Sequence, residues 1–310
     1  MSVYTDVSAP ALAEFLSHYD LGAPKALEGI GAGTENSNFF LQTDSGRYVL
    51  TLFERLPAAE IPYYLHVTEW LSQRGIPCPA PVHARDGTIL RELCDKPAAI
   101  VHCLPGSSIV QRCPSDSEVA AAGALLARMH LAGADFAERH PNPAGWFWCQ
   151  HTARRLSPKL SPAERALLVE ELEAQKAWPR DKVPGGVIHA DLFPDNVLFQ
   201  DDAISGVIDF YYAGDDAWLY DLAILANAWC SLADGSLDKH RAATLWRAYA
   251  EIRPIERAEH GLWFPYMRAA ALRFWLLRLE ARHFPRPGAM TECRDPEEYR
   301  RILACRREFC

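Results

Sequence analysis

The residues of this chain best suited to chemistry lie in one short segment. His189 and Asp191 follow an apolar pair, and Asn196 comes after four intervening residues. A second acidic side chain, Asp209, ends another short apolar run. Phosphoryl transfer from a magnesium-bound nucleotide requires two carboxylates and an amide of this kind, because one aspartate orients the attacking hydroxyl while the amide and the other aspartate hold the metal. The pattern therefore predicts that the protein phosphorylates a hydroxyl group.

The spacing of Asp191 and Asn196 equals that of the catalytic loop of protein kinases, His-Arg-Asp-x-x-x-x-Asn. An alternative is a capped turn in which these polar side chains only satisfy backbone groups. Asp209 favours the catalytic interpretation, because it follows the strand-like pair Val207 and Ile208, where a hairpin after the loop would carry the second metal-binding aspartate.

The first hundred residues contain most of the strand patterns. Helices are predicted over residues 8–22 and 61–75, and strands over residues 39–43, 47–53, 88–93 and 97–104. The first two strands form a predicted hairpin, since Asp44, Ser45 and Gly46 suit a short turn. The glycine-rich residues 29–38 before this hairpin can fold over nucleotide phosphates, because glycine lets backbone N–H groups approach closely. A flexible turn is the alternative for these residues.

Beyond Pro105 and Gly106 the pattern becomes helical. Helices are predicted to begin at the capping boxes of Ser115 and Ser161, to run over residues 220–233, 239–252 and 258–283, and to begin again at Asp295. Residues 142–157 are predicted to be irregular. The change of pattern predicts an α+β fold with a small β-rich N-lobe, residues 1–104, and a larger, mainly helical C-lobe, residues 105–310.

The composition limits the classes of partner. A formal net charge of −8 argues against nucleic acids and anionic membranes, since both require a basic face, and leaves small-molecule substrates open. Nine cysteines at scattered positions lack zinc-binding spacing and indicate reduced thiols in a cytoplasmic protein. The sequence shows no secretory signal and no apolar run long enough for a membrane span. We expect a monomer or a homodimer.

The chain resembles the aminoglycoside-phosphotransferase and choline-kinase superfamily, relatives of protein kinases that phosphorylate small molecules. The segments that carry the resemblance are residues 33–39, 48–54, 74–82, 96–101, 189–199, 206–212 and 220–223. The catalytic motif His-Ala-Asp-Leu-Phe-Pro-Asp-Asn indicates only the superfamily, whereas the N-terminal segments narrow the resemblance to the bacterial homoserine kinases. This resemblance implies a protein-kinase-like bilobal fold, the cofactors ATP and Mg²⁺, and phosphorylation of L-homoserine to O-phospho-L-homoserine for threonine biosynthesis.

The resemblance also implies roles for individual residues. Asp191 would be the catalytic carboxylate, Asn196 and Asp209 the Mg²⁺ ligands, and His189 and Asp221 braces of the catalytic loop. The implied nucleotide-binding residues are Gly31, Gly33, Thr34, Asn36, Ser37, Asn38, Thr51, Val101 and Cys103. For the acceptor, an acidic group should face the ammonium and an arginine the carboxylate. The candidates are Tyr211, Asp215 and Asp216 for the ammonium and Arg268 and Arg273 for the carboxylate, with surface ion pairs as the alternative for each charged residue.

One position departs from the usual kinase pattern. Thr51 stands where a kinase strand normally carries the lysine that pairs with the nucleotide phosphates, and no lysine lies between Lys25 and Lys96. The phosphates would then be neutralised by Mg²⁺, by loop N–H groups, or by Arg47 or Arg55. Two alternatives stay open: an enzyme acting on another small alcohol (an aminoglycoside, choline, ethanolamine or methylthioribose), or a non-catalytic nucleotide-binding protein.

Overall fold

The computed structural model describes residues 4–31, 36–109, 112–285 and 294–308. The chain divides into two compact units, one ending at Pro105 and the other beginning at Gly106. The first unit is built on an antiparallel sheet and the second mainly on helices. The predicted α+β class, with a small β-rich part and a larger helical part, is therefore confirmed.

The first unit contains a sheet of five antiparallel strands among its described residues. Its elements are α1 (Ala9–Leu16), β1 (Pro24–Gly29), β2 (Ser37–Thr43), β3 (Gly46–Leu52), α2 (Ile61–Ser72), β4 (Arg91–Leu93) and β5 (Lys96–His102), with the strands in the order β1-β2-β3-β5-β4. The predicted hairpin is confirmed, since Thr43 pairs with Gly46 across a two-residue turn. Alternate residues of β2 and β3, such as Leu41 and Leu50, point into one core that α1 also covers.

The first helix is shorter than predicted. Ser8 caps α1 as expected, because its Oγ accepts a hydrogen bond from the N–H of Ala11 at 3.4 Å. After Leu16, however, the N–H groups of His18 and Tyr19 bond to carbonyls three residues back, so the chain leaves the α-helix well before Gly22. The glycine has φ +74°, and it turns the chain towards β1 rather than ending the helix.

The second unit combines helices with two small sheets in the part of it that the structure describes. Its helices are α3 (Asp116–Gly133), α4 (Trp146–Leu156), α5 (Pro162–Lys176), α6 (Trp218–Cys230), α7 (Lys239–Ala250), α8 (Arg257–His260), α9 (Trp263–His283) and α10 (Pro296–Arg307). The strands are β6 (Ser107–Ser108), β7 (Gly185–Ile188), β8 (Val197–Gln200), β9 (Ala203–Val207) and β10 (Gly214–Ala217). β7 pairs with β10, and β6, β8 and β9 form the other sheet.

Local sequence signals place most of these helices correctly. Ser115 with Glu118 and Ser161 with Glu164 form reciprocal capping boxes at the starts of α3 and α5. Pro265 lies in the first turn of α9, where proline is compatible with the helix, and the predicted helix over residues 258–283 is divided into α8 and α9. No helix in the described ranges has the length and apolar character needed to cross a bilayer.

The prediction that residues 142–157 are irregular is wrong. Trp146–Leu156 form α4, which begins after a turn in which Oδ1 of Asn142 accepts a hydrogen bond from the N–H of Ala144 at 3.0 Å. The buried residues Cys149, Thr152, Ala153 and Leu156 follow a helical period. The aromatic residues at the start of the helix hide this period, because none of the three, Trp146, Phe147 and Trp148, is buried.

Candidate active site

The two small sheets of the second unit hold the predicted catalytic segment between them. Residues 189–196 connect β7 to β8, and Asp209 lies two residues beyond β9. The N–H of Ile208 donates to the carbonyl of Asn196 at 3.0 Å, next to the pair formed by Val197 and Val207. This ladder brings Asn196 and Asp209 into neighbouring positions although thirteen positions separate them in the sequence.

The amide of Asn196 is oriented by Asp191. Its Nδ2 donates to the main-chain carbonyl of Asp191 at 2.8 Å and to the carboxylate Oδ2 of the same residue at 3.2 Å. Because the nitrogen of the amide faces Asp191, the oxygen Oδ1 points elsewhere, and it accepts no hydrogen bond from the described residues. The loop therefore presents one carboxylate and one amide oxygen side by side.

His189 is a neutral part of the loop scaffold. Its Nε2 lies 3.0 Å from the carbonyl oxygen of Ile208, and since a carbonyl only accepts, Nε2 carries the proton. Its Nδ1 then accepts the N–H of Asp191 at 3.2 Å. Burial lowers the pKa of His189, which favours this neutral form. The ring thus joins the loop to the strand end that precedes Asp209, and it packs on Phe210 with ring centroids 4.5 Å apart.

Asp221, in the first turn of α6, holds the catalytic loop through two backbone hydrogen bonds. Its Oδ2 accepts the N–H of His189 at 2.7 Å, and its Oδ1 accepts the N–H of Ala190 at 2.8 Å. Ala190 has φ +63°, a conformation that non-glycine residues adopt only where surrounding contacts hold them. The guanidinium of the fully buried Arg273, from α9, donates to the carbonyl of Ala190 on the other side. Asp221 and Arg273 together fix the backbone immediately before Asp191.

A chain of buried hydrogen bonds extends from Asp221 to α7 and the loop that follows it. Nε of Arg253 donates to Oη of Tyr249 at 2.6 Å, so the Tyr249 hydroxyl can donate its own proton to Nδ1 of His130, also at 2.6 Å. Nε2 of His130 then carries a proton and donates to Oδ2 of Asp221 at 3.2 Å. Each hydrogen bond of this series therefore has one donor and one acceptor, with His130 neutral. Burial lowers the pKa of His130, which agrees with the neutral form.

These supporting residues were missed by the sequence interpretation. Nothing in the local pattern connects these residues, because His130 lies 91 positions from Asp221 and 119 positions from Tyr249 in the sequence. The one available signal was a histidine on the apolar face of α3, which indicates a buried and hydrogen-bonded ring but not its partner.

The two aspartates of the segment influence each other electrostatically. Desolvation by the surrounding protein, and then the negative charge of Asp209, raise the pKa of Asp191 to about 8, while Arg273 acts in the opposite direction. Asp209 also has φ +64°, a backbone conformation that aspartate and asparagine tolerate better than most residues. A cation bound at Asp209 would remove the repulsion that it exerts on Asp191.

The donor set at Asn196 and Asp209 fits magnesium. Mg²⁺ prefers oxygen ligands and is usually held by one or two protein groups together with substrate phosphates. The amide oxygen of Asn196 and the carboxylate of Asp209 are such ligands. Within the described ranges, no group of three or more His, Cys, Asp or Glu side chains is arranged to bind a metal ion. A magnesium ion at this place would therefore take its remaining ligands from a nucleotide and from water.

The residues proposed for nucleotide binding occupy varied positions in the first unit. Thr51, in β3, donates its hydroxyl proton to Oδ1 of Asn38 at 2.8 Å. Ser37 accepts the N–H of Tyr4 at 2.8 Å and donates to Glu54 at 2.6 Å. Gly31 precedes β2, Val101 is in β5 and Cys103 follows β5. Asn36 is buried, and its Oδ1 accepts no hydrogen bond from the described residues. Gly33 and Thr34 lie outside the described residues.

The candidates for acceptor binding are dispersed through the second unit. Asp215 accepts hydrogen bonds from Arg139 at 3.0 Å and from the N–H of His140 at 2.8 Å. Arg268 forms a buried ion pair with Glu171, donating to both of its carboxylate oxygens at 3.1 and 2.7 Å. Tyr211 lies in the turn between Asp209 and β10. The contacts of Asp215 match the surface ion-pair alternative, whereas the ion pair of Arg268 is buried. The acceptor-binding role of both residues stays a prediction.

The buried His130 makes the stability of the fold depend on pH. The pKa of His130 is lowered from 6.5 in the folded state, so near this pH the unfolded chain binds a proton at His130 and the folded chain does not. The stability that the fold gains by keeping His130 neutral is complete above the pKa of this histidine in the unfolded chain, and it is lost as the pH falls below that value. We expect the contribution of His130 to the free energy of unfolding to decrease between about pH 7.5 and 5.5, measured as the difference between the wild-type protein and His130→Gln in urea unfolding at each pH.

The His130→Gln variant is the matched control for this dependence. Its pH slope should be shallower by up to about 1.4 kcal/mol per pH unit, because one titrating group has been removed. Exposed His83 titrates in the opposite direction, since Glu69 raises its pKa, but it contributes equally to both proteins. Equal slopes in the two proteins would show that His130 is not held neutral.

Comparison with known proteins gives a consistent result. Residues 26–255 match the profile of the phosphotransferase enzyme family. A homoserine kinase of Cupriavidus metallidurans is 46% identical over 317 aligned residues, which cover 98% of this chain and 96% of the relative. A homoserine kinase of Methylobacillus flagellatus is also 46% identical, over 98% of this chain and 94% of the relative.

Solved structures with the same fold are more distant in sequence. An amicoumacin kinase in complex with AMP-PNP, Ca²⁺ and its ligand has a TM-score of 0.72 and 16% identity, covering 96% of this chain and 92% of the other. A spectinomycin phosphotransferase in complex with ADP and spectinomycin has a TM-score of 0.64 and 13% identity, covering 97% and 95%. These two structures support the protein-kinase-like fold.

Proposed function

Because this chain belongs to the phosphotransferase enzyme family, we propose that it transfers the γ-phosphoryl group of ATP to the side-chain hydroxyl of L-homoserine. The observation that carries the choice of acceptor is the 46% identity to homoserine kinases over nearly the whole chain. The arrangement of Asp191 beside Asn196 supports the chemistry, since it places a proton acceptor next to an oxygen ligand for a metal.

In the proposed reaction the homoserine hydroxyl oxygen forms a bond to the γ-phosphorus of ATP, and the bond from that phosphorus to the bridging oxygen of ADP breaks. The hydroxyl proton moves to the carboxylate of Asp191, which burial makes more basic than an exposed aspartate and whose repulsion by Asp209 a bound cation would offset. Asn196 and Asp209 would hold Mg²⁺, which neutralises charge on the phosphates when it is bound. His189, Asp221 and Arg273 position the loop and do not touch the reacting atoms.

We assign nucleotide binding to residues 1–104 and catalysis with acceptor binding to residues 105–310. Thr51 supplies no positive charge to the first of these regions, and its hydroxyl is already bonded to Asn38. Loop N–H groups and Mg²⁺ then become the main means of phosphate neutralisation, with Arg47 and Arg55 as side-chain candidates. The seven described cysteines are free thiols, which supports the cytoplasmic location predicted from the sequence.

A panel of acceptors tests the function. ADP release is measured with homoserine, choline, ethanolamine, an aminoglycoside, methylthioribose and no acceptor. We expect homoserine to give the highest kcat/KM. A homoserine rate equal to the rate without acceptor, beside a clear rate for another alcohol, would replace homoserine by that alcohol. No rate with any acceptor would favour the non-catalytic alternative.

The metal assignment is tested by Asp209→Asn. Asparagine tolerates the positive φ of this position, so the fold should persist while one carboxylate ligand loses its charge. We expect the Mg²⁺ concentration for half-maximal rate to rise at least about 10-fold. Asp202→Asn, at a positive φ in the turn between β8 and β9, is the matched control and should leave this concentration unchanged. An unaltered magnesium requirement in Asp209→Asn would remove Asp209 from the metal site.

A further inference from the structure

A cavity of about 260 Å³ opens in the second unit between α4, α9 and β10. It contains no residue of the catalytic loop and has a mixed lining, with aromatic rings and three charged residues, Arg180, Asp215 and Asp216. Its most informative lining residues are Trp146, Arg180, Asp216, Tyr220, Tyr266 and Ala269. None of the residues predicted from the sequence for ATP or Mg²⁺ lies in its wall.

Arg180 contributes a fixed positive charge to this cavity. Its Nη1 donates to the carbonyl of Gln175 at 2.7 Å, its Nη2 lies 3.3 Å from Oε1 of the same residue, and its guanidinium stacks on the ring of Trp146 at 4.2 Å. It forms no ion pair with a carboxylate of the described residues. A guanidinium has five N–H donors, so an anion entering the cavity would find donors still available in a fixed geometry.

Asp216 contributes the negative charge. One carboxylate oxygen accepts from Nδ2 of Asn142 at 2.8 Å and the other from the N–H of Ala217 at 2.7 Å. No cation of the described ranges forms an ion pair with it. Its neighbour Asp215 also borders the cavity, but the Asp215 carboxylate is already paired with Arg139 and accepts the N–H of His140.

The two charges face the same cavity without meeting. Burial raises the pKa of Asp216 and lowers that of Arg180, and each residue shifts the pKa of the other back towards its usual range. Two partly buried, opposite charges that are not in contact are unfavourable unless a third group lies between them. A ligand that carries both signs on adjacent atoms would satisfy both residues together.

Two elements that border the cavity also hold the catalytic loop. Ala269 in its wall lies one helical turn before Arg273, which donates to the carbonyl of Ala190, the residue before Asp191. On the opposite side, Gly214 at the start of β10 pairs with Ile188, the last residue before the loop.

We propose that this cavity binds the α-amino-acid end of the acceptor, with Asp216 taking the α-ammonium and Arg180 the α-carboxylate. Arg268 and Arg273 are less suitable for the carboxylate, because Arg268 is paired with Glu171 and the guanidinium of Arg273 is fully buried. The subsite rests on the proposed function, and it explains why an amino acid would be preferred to a simple alcohol. It assigns specificity to residues outside the kinase-like motif.

Acceptors that lack one charge test the assignment. 3-Aminopropan-1-ol has no carboxylate, and 4-hydroxybutyrate has no ammonium, while both keep the hydroxyl at the same distance. In the wild-type protein we expect kcat/KM for each to be about 100-fold below that for homoserine. Arg180→Gln should lower kcat/KM for homoserine by about 100-fold and leave that for 3-aminopropan-1-ol within about twofold. Asp216→Asn should lower kcat/KM for homoserine by about 100-fold and leave that for 4-hydroxybutyrate within about twofold.

A second measurement is independent of turnover with poor acceptors. L-2-Aminobutyrate has both charged groups but no hydroxyl, so it should inhibit competitively with homoserine, with a Ki that rises at least about 10-fold in Arg180→Gln and partly recovers in Arg180→Lys. Arg155→Gln, at the exposed end of α4 and paired with Glu280, is the control and should leave this Ki and the KM for ATP unchanged.

The outcomes separate the subsite from the function. No phosphorylation of homoserine by the wild-type protein would overturn both. Wild-type activity, with Arg180→Gln lowering kcat/KM for homoserine and 3-aminopropan-1-ol by the same factor and leaving the Ki of L-2-aminobutyrate unaltered, would overturn the subsite alone.

Discussion

Replacing Asp191 by asparagine is expected to lower kcat for homoserine phosphorylation by about 1,000-fold while changing the KM for ATP by less than about threefold. Asparagine has the size of aspartate and can still accept the hydrogen bond from Asn196, so the loop keeps its conformation. It cannot, however, take the proton of the attacking hydroxyl. Steady-state ADP release with homoserine and ATP varied separately measures both parameters.

Asp201→Asn is a matched control for this substitution. Asp201 lies in the turn between β8 and β9 with φ +49°, which asparagine also tolerates, and it has no place in the proposed reaction. Its kcat should equal that of the wild-type protein. If Asp191→Asn keeps more than about a tenth of the wild-type kcat, another group accepts the proton and the role given to Asp191 is wrong.

Asp221→Asn is expected to reduce both stability and turnover. The carboxylate of Asp221 accepts hydrogen bonds from the N–H groups of His189 and Ala190 and from His130. An asparagine amide can turn only one oxygen towards these donors, so its own NH₂ would oppose at least one of them in a fully buried place. We expect the free energy of unfolding to fall by about 3 kcal/mol and kcat to fall by about 100-fold, since Ala190 would no longer be held.

Urea unfolding and steady-state kinetics of the same preparation measure these two effects. Asp135→Asn, an exposed position just after α3, should change the free energy of unfolding by less than about 0.5 kcal/mol. A stable Asp221→Asn protein with wild-type kcat would show that the loop does not need this support. A stable protein with a lowered kcat would separate the positioning of the loop from the stability of the fold.

The parts of the fold that could be predicted are those whose signals are local. The capping boxes at Ser115 and Ser161 and the short turn at Asp44 each depend on residues within a few positions, so they were visible in the sequence. The segment from His189 to Asn196 is local for the same reason. Its support was not predictable in full, because His130, Tyr249 and Arg273 come from three helices distant in the chain.

The residues predicted to bind the acceptor show a second limit of prediction from the sequence. Asp215 and Asp216 are equivalent in the sequence, and both were candidates for the ammonium. The sequence Gly-Asp-Asp-Ala has low strand propensity, so β10 was not predicted. Only the structure distinguishes the two carboxylates, since Asp215 is paired with Arg139 whereas Asp216 forms no ion pair within the described ranges.

The central claim is that this protein phosphorylates the hydroxyl of homoserine through the loop that carries Asp191. Phosphorus NMR of a reaction containing the purified protein, ATP, Mg²⁺ and L-homoserine tests it most directly, with Asp191→Asn and a mixture without homoserine run in parallel. We expect a phosphomonoester signal of O-phospho-L-homoserine to grow in step with ADP in the wild-type reaction only. Formation of ADP and inorganic phosphate without the phosphomonoester, or equal phosphomonoester formation by Asp191→Asn, would contradict it.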